Sequence, residues 1–316
     1  MVTISIVVPV YNSGEILLEL NRQVAEALEG IAYELILVND CSPDKSWEVI
    51  SRLVSKDERV IGINLRKNSG QDNALMAGLN HCSGEYVVIM DDDLQHSPHD
   101  ILLLVEQCRV GFDVCYANFT RKRQKWWKNA GSWLNGRLAE ILIDKPAHIY
   151  LSPFEAIRYE VVEEIVKYSG PYPYVQGLIL RVTTNITQVQ VEHHERYAGM
   201  GNFNFIRSVT VFIKHATTFS IVPLRAASLV GSISAVLGFF MIPYQLYYYF
   251  IAKQIVEGWT SLMIVLLVIG GLILLSLGML GEYVGRMYIN VNESPQFVVK
   301  EVLRGNKRGN DNAILP

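Results

Sequence analysis

Short apolar runs alternate with longer amphipathic stretches over the first 120 residues of the chain. The short runs are continuous and rich in β-branched residues, whereas the longer stretches carry apolar residues at helical spacing. Strands of this kind, alternating with helices, are typical of a parallel sheet covered on both faces. The pattern predicts an α/β domain with strands at 5–10, 34–39, 60–65, 85–90 and 113–118 and helices at 14–29, 44–56, 71–81 and 98–109.

Two long runs in the C-terminal half, 226–252 and 258–281, contain no charged residue. Each exceeds the ~20 residues that a helix needs to cross a bilayer. A buried hairpin of a soluble core is the alternative, but two such runs side by side are rare in soluble chains. We therefore predict a transmembrane hairpin, preceded by a juxtamembrane amphipathic helix at 211–225 and followed by a C-terminal segment at 282–316.

The charges that flank the two runs indicate an orientation. Basic residues stand before the first run and after the second, while the connecting loop, 253–257, contains only Lys253 on the positive side. Positive residues favour the cytoplasmic side of a membrane. This predicts a multi-pass protein of the inner (plasma) membrane, with the N-terminal domain and both chain termini in the cytoplasm.

Composition adds little to this picture. Only 19% of the residues are charged, fewer than the roughly 25% of an average soluble domain, and the net charge of −3 indicates no particular partner. The four cysteines form no C-x-x-C pair and fit no zinc spacing, which predicts free thiols in a reducing compartment. The N-terminal residues lack a basic segment and are interpreted as a first strand, not a signal peptide.

Polar residues follow each of the first four predicted strands. Ligands of parallel α/β sheets bind beyond the carboxyl ends of the strands, so we expect one crevice there. The chain has no G-x-G-x-x-G and no G-x-x-x-x-G-K-[ST], which disfavours a typical dinucleotide fold and a P-loop. The residues in question are Pro9, Tyr11 and Asn12, then Asn39 and Asp40, then Arg66, Asn68, Gly70 and Gln71, and finally Asp91 and Asp93.

Three consecutive acidic residues, Asp91 to Asp93, follow the fourth strand. Acidic turns after strands are common, so the D-x-D spacing alone is a weak signal. In extended chain Asp91 and Asp93 face one side and Asp92 the other. Two carboxylates on one side suit a hard cation, Mg²⁺ or Mn²⁺, that bridges a diphosphate. We predict Asp91 and Asp93 as metal ligands and catalytic residues, and a capping or pairing role for Asp92.

Motifs over nearly the whole chain resemble those of the family 2 glycosyltransferases with the GT-A fold. PLRAASLVGS (223–232) and GMLGEYVGRMYINVNESPQFVV (278–299) resemble the membrane-anchored polyprenyl-phosphate members, a group that includes dolichol-phosphate mannose synthase-like enzymes, bactoprenol glucosyl transferases and aminoarabinose transferase. The resemblance implies a Rossmann-like GT-A domain at 1–210 with a mostly parallel sheet. The N-terminal motifs are VVPVYN (7–12), VND (38–40), LRKNSGQDNAL (65–75) and MDDDLQHSP (90–98).

The resemblance also implies residue roles. The residues implied to bind the nucleotide-sugar are Pro9, Tyr11, Asp40, Asn68, Gln71 and Asp91. Those implied to bind the lipid phosphate are Arg121, Arg123 and Arg196, and those implied to bind the metal are Asp91 and Asp93. The chain departs from the family pattern at Ser13 and Cys41. It also reads SPFE at 152–155, where members often have G-D-F-R, and it is altered at 201–203. The sugar and any catalytic base therefore stay open.

The expected activity is inverting transfer of a sugar from a nucleotide-sugar to a polyprenyl phosphate such as undecaprenyl phosphate. The resemblance favours a UDP-linked donor, with a GDP-linked donor as the alternative. The expected partners are this donor, this acceptor, the lipid bilayer and, because relatives form tetramers, further copies of the chain. A processive polysaccharide synthase and a membrane-anchored scaffold without catalysis are the alternatives. Processive enzymes usually carry Q-x-x-R-W, to which RQKWW (123–127) is an early and imperfect match.

The stretch RKRQKWWKN (121–129) interleaves cations with two tryptophans. We interpret it as a segment at the membrane interface, where the tryptophans lie at headgroup level and the cations attract the acceptor phosphate. A solvated basic face is the alternative, and nucleic acid is not an expected partner. Adjacent His193 and His194 point in opposite directions in extended chain, so they are not expected to bind one ion.

Overall fold

The computed structural model describes residues 3–119, 146, 149–191, 258–292 and 294–305, with isolated positions and the stretch 227–233 between 224 and 243. The chain divides into two compact units. The first contains 1–140, 144–202 and 293–316, and the second contains 141–143 and 203–292.

The described part of the first unit is built on one mixed, mostly parallel sheet of eight strands in the order β7-β5-β6-β4-β1-β2-β3-β8. Strands β1 to β4 run parallel to their neighbours within that set, whereas β6 and β8 are antiparallel to the strands they pair with. The strands are β1 (Ile4–Val10), β2 (Tyr33–Asn39), β3 (Val60–Leu65), β4 (Tyr86–Ile89), β5 (Val114–Phe119), β6 (Glu155–Arg158), β7 (Ile186–Val191) and β8 (Val299–Arg304).

Helices cover both faces of this sheet. Apolar residues of α1, α2 and α4 form one core with alternate residues of β1, β2 and β4. Helix α3 packs on the opposite face, where Gly78 approaches Val7 and Val38 so closely that a Cβ would clash. The helices of the first unit are α1 (Leu17–Ala27), α2 (Ser46–Lys56), α3 (Gln71–Leu79), α4 (Ile101–Val110), α5 (Tyr159–Ile165) and α6 (Val175–Val182).

These observations confirm the predicted fold class, with every predicted strand and helix of the N-terminal domain present. The largest change is at α1, which begins at Leu17 and ends at Ala27 instead of covering 14–29. Strands β6, β7 and β8 were not predicted. Two of them enter the sheet beside strands that are distant in sequence: β6 lies between β4 and β5, and β8 lies beside β3.

The second unit contains the helix α7 (Trp259–Val291), which has 33 residues. Its segment Val268–Val291 is long and apolar enough to cross a membrane, with a mean hydropathy of 1.7. The helix continues well beyond the predicted run 258–281. Residues 227–233 are helical, but most of the run 226–252 and of the segment 211–225 lies outside the described residues.

Candidate active site

Three non-glycine residues with left-handed backbone lie just beyond the strands of the parallel core. Asn12 (φ 61°) follows β1, Cys41 (φ 52°) follows β2 and Leu94 (φ 56°) follows β4. A side chain makes this conformation costly, and it persists where the surrounding structure holds it, often at functional sites. The sharp turns therefore gather at the carboxyl ends of the parallel strands, the edge at which ligands of such sheets bind.

The turn after β1 is held by the turn before α2. The Asn12 amide donates to Ser42 Oγ at 2.7 Å, and the Gly14 amide donates to Asp44 Oδ2 at 3.1 Å. Burial alone would raise the pKa of Asp44, but hydrogen bonds from Ser42, Ser46 and backbone amides lower it to about 2. Asp44 is therefore a carboxylate at neutral pH, and it fixes the backbone next to Tyr11.

The structure brings Gln71 and Asp91 together. Gln71 is the first residue of α3, and its Nε2 donates to Asp91 Oδ1 at 2.8 Å. Asp93, two residues on, accepts the backbone amide of Gln95 through Oδ1 at 3.1 Å. Both aspartates are partly exposed. Two predicted donor-site residues from different elements thus meet at the end of β4.

Asp92 has a separate role. Its Oδ2 accepts the Tyr11 amide at 3.3 Å, which ties the turn after β4 to the turn after β1. Burial raises the pKa of Asp92, hydrogen bonds from Ser13 and the Tyr11 amide oppose that rise, and Asp93 adds to it. The pairing role expected for Asp92 agrees with this geometry.

Asp40 is almost fully buried, at 4% exposure, and both of its carboxylate oxygens accept backbone amides. Oδ1 accepts from Ser69 at 2.7 Å and Oδ2 from Gly70 at 2.9 Å. Gly70 has φ 93°, a conformation that disfavours a side chain, and it immediately precedes Gln71. In this structure Asp40 therefore holds the turn that presents Gln71, and its implied contact with the nucleotide stays a prediction.

The other residues implied to bind the donor or the acceptor differ in their exposure. Tyr11 is 52% exposed and Asn68 is exposed, so both are open to a ligand. Pro9 is buried within β1, where it pairs with Val38 of β2. Arg121, Arg123 and Arg196, together with the stretch RKRQKWWKN, His193 and His194, lie outside the described residues.

A buried polar cluster on the α3 side of the sheet was not predicted. Glu155, the first residue of β6, is fully buried, and Gln176 Nε2 of α6 donates to its Oε2 at 2.8 Å. Burial raises the pKa of Glu155 to about 8, although the Gln176 hydrogen bond opposes the rise. Asp72 of α3 lies nearby and accepts the Val175 amide at 3.3 Å, and burial raises its pKa to about 6. The only sequence signal was the departure SPFE at 152–155.

The carboxylate oxygens of Asp91 and Asp93, after β4, fit a cation that a bound ligand also coordinates. Across the described ranges, no group of three or more His, Cys, Asp or Glu side chains could hold a metal by itself. Mg²⁺ is commonly bound by one or two carboxylates together with substrate phosphates. Asp91 and Asp93 supply such carboxylates, and they fit a divalent ion that arrives with a diphosphate.

Residues 5–166 match the family described as Glycosyl transferase family 2. YkcC of Bacillus subtilis (strain 168), an uncharacterized glycosyltransferase, is 32% identical over 300 residues, which cover 94% of this chain and 93% of that protein. Undecaprenyl-phosphate 4-deoxy-4-formamido-L-arabinose transferase of Edwardsiella ictaluri (strain 93-146) is 31% identical over 309 residues, which cover 96% and 95%. The chain therefore belongs to glycosyl transferase family 2, and it is a glycosyltransferase.

The fold agrees with this assignment. A crystal structure of glucosyl-3-phosphoglycerate synthase from Mycobacterium tuberculosis, in complex with Mn²⁺, uridine diphosphate and phosphoglyceric acid, is similar with a TM-score of 0.50 and 19% identity. The similar region covers 68% of this chain and 78% of that chain. At this identity the likeness supports the GT-A-like fold alone.

Proposed function

We propose that the protein transfers one sugar from a nucleotide-sugar, UDP-linked in the first instance, to a polyprenyl phosphate, with undecaprenyl phosphate as the expected acceptor. The observation that carries this proposal is the 31% identity, over 96% of the chain, to a transferase that acts on undecaprenyl phosphate. The paired Gln71 and Asp91 at the sheet edge and the long apolar helix α7 support it.

The chemistry is a single displacement with inversion at the anomeric carbon. A phosphate oxygen of the acceptor forms the new bond to that carbon, and the bond to the nucleoside diphosphate breaks with its electron pair. A phosphate monoester has a second pKa near about 6 and is largely dianionic at pH 7, so it needs positioning more than deprotonation.

Departure of the nucleoside diphosphate is then the larger barrier. We assign Asp91 and Asp93 to hold Mg²⁺ or Mn²⁺, which when bound neutralises charge on the leaving diphosphate. The protein groups do the positioning. Gln71 orients the Asp91 carboxylate, Asp40 holds the turn before Gln71, and Asp92 holds Tyr11 at the nucleotide end of the crevice.

The acceptor phosphate is assigned to Arg121, Arg123 and Arg196. Two cations in the basic stretch suit a dianionic headgroup near a membrane surface. Replacing Arg121 and Arg123 together by glutamine is expected to raise the KM for the lipid several-fold and to leave the KM for the nucleotide-sugar unchanged. Steady-state kinetics in detergent would check this. The same KM for the lipid in the wild type and in the double variant would contradict the assignment of Arg121 and Arg123 to the acceptor phosphate.

The setting proposed is the plasma membrane. Helix α7 supports one span, and the uncharged run 226–252 is proposed as the other, with the catalytic domain and both termini in the cytoplasm. The proposed domain limits are those of the sequence: 1–210, 211–225, 226–252, 258–281 and 282–316.

The direct test incubates purified full-length protein with labelled undecaprenyl phosphate, Mg²⁺ or Mn²⁺, and a panel of UDP- and GDP-sugars, followed by mass spectrometry of the lipid. The expected product is the lipid carrying one sugar. Products with many sugars would indicate a processive synthase. No product with any donor, from a folded protein, would contradict the proposed activity.

A further inference from the structure

A buried histidine closes the turn that follows β4. His96 is 5% exposed, and its Nδ1 accepts the backbone amide of Asp91 at 3.5 Å. Within the turn, Asp93 Oδ1 accepts the Gln95 amide at 3.1 Å. The two proposed metal ligands therefore belong to one short loop, the 91–96 turn, whose ends are joined by the imidazole ring. A hydrogen bond of this length is weak, so other contacts must hold the ring in place.

Two phenylalanines supply those contacts. The His96 ring stacks on Phe119 and on Phe154, with centroid separations of 5.2 Å and interplanar angles of 13° and 8°. Aromatic rings prefer offset stacking at separations of this size. Phe119 ends β5 and Phe154 immediately precedes β6. Because β6 lies between β4 and β5, the ring fixes the turn after β4 to the ends of the next two strands.

The middle of the turn is fixed by Leu94. Its backbone is left-handed, with φ 56°, and its side chain is buried in the same apolar cluster as Met90 and Phe154. Such a conformation is costly for a residue with a side chain, and it persists where the surrounding structure holds it. All of these contacts lie within the protein, so they fix the shape of the 91–96 turn independently of a ligand.

The direction of the hydrogen bond defines what His96 can do. Nδ1 uses its lone pair to accept the Asp91 amide, so this nitrogen does not point at the cation that the two carboxylates are proposed to hold. It acts on the peptide that carries Asp91, and a rotation of that peptide would move the Asp91 carboxylate relative to that of Asp93. Loss of a group that orients a metal ligand typically weakens metal binding by about 10–100-fold.

We propose that His96 is a positioning residue of the metal site, which sets the spacing of the Asp91 and Asp93 carboxylates for one divalent ion. It does so by accepting the Asp91 amide while its ring is stacked on the ends of β5 and β6. The inference rests on the proposed function for the role of the two aspartates. The histidine belongs to MDDDLQHSP (90–98), a motif in which the sequence patterns assigned roles to the acidic residues alone.

Binding calorimetry of UDP, and of GDP in parallel, tests this role without any transfer reaction. The full-length protein in detergent is titrated with and without saturating Mn²⁺, and the quantity measured is the gain in nucleotide affinity that Mn²⁺ supplies. His96→Phe keeps a ring for stacking but removes the acceptor. It is expected to reduce the gain about tenfold or more, while the affinity measured without Mn²⁺ stays within about twofold of the wild type.

His96→Asn separates the hydrogen bond from the ring. Its Oδ1 is attached to Cγ, as Nδ1 is in histidine, so it can accept the Asp91 amide and is expected to recover most of the gain. His96→Gln carries its acceptor one bond further from the main chain and should not recover it. This pair also serves if His96→Phe does not fold. His99→Phe, at an exposed position nearby, is the matched control and should keep the whole gain.

An unchanged gain in His96→Phe would overturn the positioning role. A His96→Asn variant that loses as much as His96→Gln would also overturn it, because the acceptor would then not be the cause. The same applies to an equal loss of nucleotide affinity with and without Mn²⁺, which a general disturbance of the fold would produce. A wild type in which Mn²⁺ gives no gain contradicts the metal assignment of Asp91 and Asp93 itself, which separates failure of the proposed function from failure of this inference.

Discussion

The three consecutive aspartates that follow β4 have different hydrogen-bond partners. Asp91 is bonded to Gln71, whereas Asp92 is bonded to the backbone of Tyr11. Asp93 remains at the edge of the sheet and is partly exposed. The three aspartates therefore join the turn after β4 to different partners: Asp91 to α3, Asp92 to the turn after β1, and Asp93 to the backbone of Gln95.

Asp93→Asn is expected to abolish turnover while the protein stays folded in detergent. The substitution removes the negative charge that the proposed cation needs and keeps the size of the side chain. Asp92→Asn is the matched control, because it retains an oxygen that accepts the Tyr11 amide, and it should keep most of the activity. Transfer to labelled lipid and a thermal unfolding curve measure both properties. Wild-type turnover by Asp93→Asn would contradict the metal role.

Glu155 gives the stability a dependence on pH whose sign follows from its pKa. The pKa rises from an ordinary value of 4.5 to about 8 in the folded protein, so the folded state binds the proton more tightly. Between those values stability falls as pH rises, because the folded chain keeps a proton that the unfolded chain has lost, and folding must therefore take that proton up from a solution that holds fewer of them. The groups that act on Glu155 from the surrounding elements are Asp72, Asp91, Tyr116 and Tyr174.

Glu155→Gln removes this dependence. The variant is expected to gain thermal stability relative to the wild type as the pH is raised from 4.5 towards 8. Since about 1 kcal/mol changes the Tm of a domain of 150–250 residues by about 2–4 °C, the difference should widen by several degrees. Asp72 is coupled to Glu155, so the comparison reports the two carboxyl groups together. If Tm changes with pH in the same way in both proteins, the raised pKa of Glu155 is contradicted.

Sequence patterns predicted part of this site. The meeting of Gln71 and Asp91 could be expected because both follow strands of one parallel set, and strand ends lie at one edge. Glu155 could not be expected, because its burial depends on β6 entering the sheet between β4 and β5. That pairing joins residues far apart in sequence, and the four-residue strand EAIR has no distinctive local pattern.

At the level of elements, β8 shows how the end of the described chain contributes to the first unit. It pairs antiparallel with β3, and the Arg66 amide donates to the Val298 carbonyl at 2.8 Å. Just before it, Gln296 Nε2 donates to the carbonyls of Tyr168 and Gly170 at 2.7 and 2.8 Å. Part of the segment predicted only as a C-terminal segment, 282–316, therefore completes the sheet at the edge next to β3.

Gln296→Leu is expected to destabilise the first unit by about 1 kcal/mol, because two partly buried carbonyls lose their donor. Glu301→Gln, an exposed change within β8, is the control and should leave stability nearly unchanged. Chemical unfolding of the two variants and the wild type measures the difference. Equal midpoints for Gln296→Leu and the control would show that this contact contributes little.

At the level of the whole molecule, the proposed cytoplasmic location of the first unit can be tested with a natural cysteine. Cys41 is exposed, whereas Cys82, Cys108 and Cys115 are buried. Burial raises the pKa of Cys108 and Cys115 to about 12 and raises that of Cys82 as well. Because the thiolate is the reactive form, Cys41 should be labelled far faster than the other three.

A membrane-impermeant maleimide is expected to label inside-out vesicles and to leave intact cells unlabelled, if the first unit faces the cytoplasm. Cys41→Ser should abolish the labelling of the vesicles, which identifies the thiol. Mass spectrometry of the modified protein gives the result. Labelling of Cys41 in intact cells would place the first unit outside and contradict the proposed topology.

The position of β8 after α7 has a consequence for biosynthesis. The ribosome must translate the whole apolar helix before the last strand exists, so the outer edge of β3 stays unpaired while that helix is being made. An unpaired strand edge is a template for association with other chains. A nascent chain halted before residue 299 would therefore have a first unit that lacks only β8 and exposes the unpaired edge of β3. Cells that interrupt synthesis there should accumulate this chain as aggregates.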